Sequence, residues 1–77
     1  MFRTAATAHS RLATTVKKLR EKKGWTQFEL AEESEVGLRF VRELEGAKRT
    51  ARMDKVNQVL AQFGYHLEAI EDREIEP

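Results

Sequence analysis

Apolar positions recur at helical spacing along most of the chain. Leu12, Val16 and Leu19 fall at i, i+4 and i+7, so they share one helix face. Ser10 reads as an N-cap, Lys22 and Lys23 as cations opposing the negative end of the helix dipole, and Gly24 as a left-handed terminator. This spacing predicts a helix over about 10–23. The sharpest local signal comes next. Thr26-Gln27-Phe28-Glu29 is a capping box, in which the Thr26 hydroxyl accepts from the Glu29 N–H and the Glu29 carboxylate accepts from the Thr26 N–H. Trp25 and Leu30 flank it at the spacing of a hydrophobic staple. A second, short helix therefore starts at Gln27 and breaks at Ser34-Glu35. A third is expected over about 37–45, with Val36 just ahead and Val41 and Leu44 facing inward. After the loop 46–50, a fourth helix is expected over about 52–63, carrying Met53, Val56, Leu60 and Phe63 on one face and ending at Gly64.

The period then changes from helical to alternating. Tyr65, Leu67 and Ala69 face one side, and His66, Glu68 and Ile70 face the other, which is a strand pattern. A lone strand leaves its backbone N–H and C=O groups unpaired, and the same strand of a second copy is the simplest partner. The alternative is an extended tail packed back on the bundle. Length points the same way as the strand. With 77 residues and no Cys, the chain forms one domain with a thin core and no disulfide, and oligomerisation is the remaining support. The expected fold is all-α, a bundle of four to five helices, with a short C-terminal strand pairing across a homodimer. Residues 1–9 read as a flexible arm, 10–70 as the folded domain and 71–77 as an acidic, disordered tail. No apolar run reaches membrane-span length, and the N-terminal residues lack a secretory pattern, so the expected location is the cytoplasm.

Charge changes the picture only when read by segment. The net charge is +1, yet residues 1–25 hold seven cations against Glu21, and 48–52 add Lys48, Arg49 and Arg52. Residues 26–47 hold six Glu against Arg39 and Arg42, and 53–77 hold six acids against Lys55 and Arg73. A basic front, a basic loop and an acidic tail suit a polyanion partner. A solvated helix face is the plainer reading of any one charge run.

Two short helices joined by a tight turn, the second presenting cations, form a helix-turn-helix pattern. Gln27, Ala31, Val36, Val41 and Leu44 stand where that motif needs them, and small Ala31 allows the two helices to approach closely. The outward residues of the third helix are then Leu38, Arg39, Arg42 and Glu43. Arg39 can donate two bonds to guanine, Leu38 can touch a thymine methyl, and Arg42 can reach a base or a phosphate. Thr26 and Gln27, at the start of the second helix, and Lys48 and Arg49, after the third, are the candidate phosphate contacts. Residues 65–70 (Tyr65, His66, Leu67, Glu68, Ala69 and Ile70) are the candidate dimer strand.

The run from Trp25 to Glu32 resembles the start of a Cro-like phage-repressor (XRE) helix-turn-helix. The run from Gly37 to Glu45 resembles its recognition helix, and Lys48-Arg49 its basic loop. Leu12-Ala13, Lys17-x-Leu19-Arg20, Gly24-Trp25-Thr26-Gln27 and Glu29-Leu30-Ala31 resemble most the HipB-type antitoxins. The likeness covers about 10–70. It implies a homodimer with a two-stranded intersubunit sheet, a repressor that binds a pseudo-palindromic double-stranded operator, and a HipA-like serine/threonine kinase toxin as partner. The chain departs from the family at Glu35 and Ala47, where Gly is usual, and at Leu38, where a polar residue is usual. Two other functions stand beside this one: a stand-alone phage or mobile-element repressor without a toxin, and an interaction module that kept the fold and lost DNA binding. The acidic outer face of the second helix (Glu29, Glu32, Glu33), together with the acidic tail, motivates the last, and an exposed Phe28 reads as a partner contact or an accident. Trp25 serves structure rather than base stacking. His9 and His66, far apart and without Cys, offer no metal site and no catalytic set, so no cofactor and no enzyme activity are expected.

Overall fold

The computed structural model describes residues 8–69. Four helices follow one another: α1 Ala8–Lys23, α2 Gln27–Ser34, α3 Leu38–Glu45 and α4 Met53–Ala61. All described secondary structure is helical, and the helix count falls at the lower end of the expected four to five. The flexible arm expected at 1–9 lies outside the described residues except for Ala8 and His9, which are helical. Ser10 thus sits inside α1 and does not cap it. Ala8 is a strong helix former, and nothing at 8–10 interrupts the turn. The tail 71–77 lies outside the described residues.

One apolar cluster holds the helices together. Val16, Leu30, Val41, Val56 and Val59 are fully buried, with Ala31, Leu44 and Leu60 beside them. Val36 and Val41 take their expected inward positions, and Trp25 packs on the cluster from its edge. The Trp25 ring meets Phe63 at 6.0 Å between centroids, and the Lys23 ammonium sits 4.5 Å from its centre. Two face assignments shift. Ala13, not Leu19, joins Val16 as a buried residue of α1. On α4 the buried residues are Val56, Val59 and Leu60, while Met53 is 68% exposed. Met53 is the first helical residue, at the edge of the apolar arc, so its side chain overhangs the end of the core.

The turns explain how the helices are aimed. The Thr26–Glu29 capping box forms in both directions, at 3.0 Å to the Thr26 hydroxyl and 2.7 Å to the Glu29 carboxylate. Gly24 takes the left-handed conformation expected of it, φ +76°. Glu35 and Ala47 do the same, at φ 60° and 63°, although neither is Gly. Each is held by bonds around the turn. Val36 N–H donates to Ala31 at 3.0 Å, and Lys48 N–H donates to Glu43 at 3.0 Å. The turn geometry is thus the one Gly would give, and two side chains bear the strain of it. Left-handed backbone costs a non-Gly residue about 1–2 kcal/mol, and Gly returns roughly half of that as unfolded-chain entropy. Glu35→Gly and Ala47→Gly are therefore expected to raise stability by about 0.5–1 kcal/mol each, a gain of a few degrees in Tm. Thermal unfolding checks this, and a loss of stability in both variants would contradict it.

No strand is present among the described residues. Residues 65–69 follow Gly64 as a segment without regular secondary structure that returns to α4, where the Leu67 N–H donates to Asn57 Oδ1 at 2.8 Å. Leu67 packs half-buried on the core, while Tyr65, His66, Glu68 and Ala69 are exposed. The expected strand is therefore not seen among the described residues of a single chain. A strand is defined by its pairing, and a single chain supplies no second edge for it. Ile70 lies outside the described residues.

Candidate nucleic-acid interface

The helix-turn-helix is α2, the turn 35–37 and α3. It rests on α1 and α4 through Leu30, Ala31, Val41 and Leu44. A polar lock fixes its far end. Arg20, near the end of α1, forms a two-pronged pair with Glu45, the last residue of α3: Nε to Oε2 at 2.7 Å and Nη2 to Oε1 at 3.1 Å. Its third donor reaches the Trp25 carbonyl at 2.8 Å. Both side chains are nearly enclosed, with 12% of Arg20 and 4% of Glu45 exposed. Arg20 is held above the ordinary arginine range chiefly by its hydrogen bond to Glu45, against the opposing effect of burial, so it stays cationic. The pair ties the end of α1 to the end of α3. The sequence reading missed it, since Arg20 stands in a basic run and Glu45 in an acidic one. A signal was available: each charge directly follows an apolar helix position, Leu19 and Leu44, and so sits at the rim of the core.

Gln27 belongs to this lock. Its amide donates to Glu45 Oε1 at 3.0 Å, so the side chain is turned toward the α1–α3 junction. Thr26 uses its hydroxyl and its N–H in the capping box, and the Glu29 carboxylate shares that end of α2. The two residues expected at a phosphate are thus both engaged inside the protein.

The outward side of α3 carries the expected cations. Arg39 is 89% exposed, and Arg42 is exposed one turn later. Lys48 and Arg49 are exposed in the loop beyond. Leu38 is half-buried and packs against the core, and Phe40 does the same. Glu43 stands between two of the cations. Its Oε2 accepts from Arg39 Nε at 3.1 Å and lies 3.2 Å from Lys48 Nζ. The hydrogen bond from Lys48, then that from Arg39, holds the Glu43 carboxyl below its ordinary range, so it is ionised at neutral pH. At the start of α4, Arg52 pairs with Asp54 at 2.7 Å, and its hydrogen bond holds the Asp54 carboxyl below its ordinary range in the same way.

A more apolar surface lies beside Arg49, which also lines it. An open groove of ≈ 200 Å³ is lined by Leu12, Ala51, Met53, Val56 and Leu67, with Ala8, His9 and Arg49 at its rim. Tyr65 and Leu67 border a second groove with Leu12 and Leu60. Among the described residues no group of three His, Cys, Asp or Glu is placed to hold a metal ion, and no helix is long and apolar enough to cross a membrane.

Comparison with known proteins bears on this arrangement. The family described as Helix-turn-helix matches residues 16–70. A solved chain described as an MDT protein superposes with a TM-score of 0.71 at 21% identity, over 94% of this chain and 99% of that one. A chain in the structure of a HipA-HipB-O2-O3 complex superposes with a TM-score of 0.70 at 21% identity, again over 94% and 99%. No curated protein matches the sequence.

Proposed function

We propose, because the chain belongs to the helix-turn-helix family of DNA-binding domains, that it is a sequence-specific transcriptional repressor acting as a homodimer in the cytoplasm. The observation that carries this reading is the exposed cationic side of α3 and its following loop, with Arg39, Arg42, Lys48 and Arg49, on a helix pair locked by Arg20 and Glu45. Arg39 and Arg42 reach base edges in the major groove, with Leu38 available for an apolar contact at the start of α3. Lys48 and Arg49 hold phosphates, while the expected contribution of Thr26 and Gln27 is reduced to the N-terminal end of the α2 backbone, since their side chains are engaged in the capping box and with Glu45.

The second copy is supported by the apolar groove lined by Leu12, Met53, Val56 and Leu67. Met53 and Tyr65 are exposed, and Leu67 is only half covered. Pairing of 65–70 with the same segment of a partner satisfies its backbone and covers these residues together. Two α3 helices then enter successive major grooves about 34 Å apart. The likeness to a chain in a HipA-HipB-O2-O3 complex, with the sequence resemblance to HipB-type antitoxins, favours an antitoxin that represses its own operon and binds a HipA-like kinase.

Footprinting on the DNA upstream of the chain's own gene tests the repressor. Two protected half-sites one helical turn apart are expected; uniform or absent protection contradicts it. Co-purification with the product of an adjoining kinase gene separates the antitoxin from a stand-alone repressor.

A further inference from the structure

Glu43 is an odd residue to find on a surface built for a polyanion. It projects from the same side of α3 as Arg39, and a carboxylate there repels phosphates. Its position resolves the oddity. One oxygen, Oε2, engages both Arg39, at 3.1 Å, and Lys48, at 3.2 Å. Glu43 is one-third exposed, while Arg39 is 89% exposed and Lys48 50%. A single anion therefore bridges the cation assigned to a base and the cation assigned to the backbone.

We propose that Glu43 is a specificity-determining residue, holding Arg39 and Lys48 so that nonspecific DNA gains little from them and the correct sequence gains both. The inference rests on the DNA-binding reading. With Glu43 ionised, the three side chains carry one net positive charge in place of two. On random DNA the cluster releases about one counterion fewer than its cations alone would. On the correct sequence Arg39 exchanges one bond to Glu43 for a two-pronged bond to guanine, and the freed carboxylate can accept from the amino group of a neighbouring cytosine. Opposite a wrong base the carboxylate loses water and gains no donor, which penalises that sequence. Glu43 also restricts the rotamers of Arg39, so the reading cation is oriented before it meets a base.

The test is Glu43→Gln, which keeps the shape and removes the charge, with Glu33→Gln as a control that makes the same charge change on α2. Binding is measured to the footprinted operator duplex and to a scrambled duplex, with folding checked by circular dichroism. Glu43→Gln is expected to tighten scrambled-duplex binding at 0.15 M salt by about fivefold per protomer, about thirtyfold for a dimer with both copies on the duplex, since affinity scales as roughly the −0.9 power of salt per released counterion. The scrambled-duplex salt slope steepens by nearly one unit per protomer, nearly two for the dimer, and the ratio of operator to scrambled affinity falls. The control leaves that ratio unchanged. If the wild-type chain binds the operator and Glu43→Gln leaves the ratio as it was, or if both variants lower it alike, Glu43 has no such role. If the wild-type chain binds neither duplex, the DNA-binding reading itself fails.

Discussion

Glu45→Ala is expected to lower the unfolding free energy by about 3 kcal/mol, at the lower end of what removing one partner of a buried ion pair costs. The substitution leaves Arg20 cationic in a site where only 12% of its side chain meets water. Arg20 keeps its bond to the Trp25 carbonyl and loses the other two, and the Gln27 amide loses its acceptor. A domain of this size has about 4–12 kcal/mol of stability to begin with, so the loss is a large share of it. Chemical denaturation should show the change, and Tm should fall by more than about 10 °C. Replacing both Arg20 and Glu45 with Met is expected to recover much of the loss, since an apolar pair needs no desolvated partner. A loss below about 1 kcal/mol for Glu45→Ala would mean that the pair does not hold α1 to α3.

The second large effect concerns recognition. Arg39→Ala should reduce the preference for the operator over a single-base variant at the guanine it contacts by about 5- to 150-fold, equivalent to about 1–3 kcal/mol. Lys48→Ala should weaken operator and scrambled duplexes by a similar factor, because a phosphate contact carries no sequence information. Competition binding with the two duplexes separates these outcomes. If Arg39→Ala weakens every duplex equally, Arg39 is a phosphate contact and the base assignment moves elsewhere on α3. Stability is not at stake in either variant, because both side chains lie at the surface.

What could be read in advance was whatever depends on neighbours in sequence. The Thr26–Glu29 capping box and the left-handed Gly24 are contacts within a few residues, and both form as their spacing implies. The burial of Val41 and Leu44 follows from helical period alone. Features that depend on what lies across the fold were not legible. Arg20 and Glu45 are 25 residues apart, and each is masked by other residues of its own charge. Gln27 reads as free for a phosphate, because nothing in its neighbours along the chain places Glu45 beside it. Met53 and Val59 exchanged places because the end of the core, not the period, decides which edge of α4 is covered. Glu35, where Gly is usual, still takes the left-handed turn, held by the Val36 to Ala31 bond. Segment 65–69 could not declare itself as a strand, because its expected partner is another molecule.

All of these residues serve one claim, that the cationic side of α3 is built to hold DNA. The most direct test is equilibrium binding to the upstream duplex and to a scrambled duplex between 50 and 200 mM salt. Two copies making about six phosphate contacts should give a log–log slope near −5, with the upstream duplex preferred by roughly 10³-fold or more. Binding that ignores salt, or that favours neither duplex, would contradict the account.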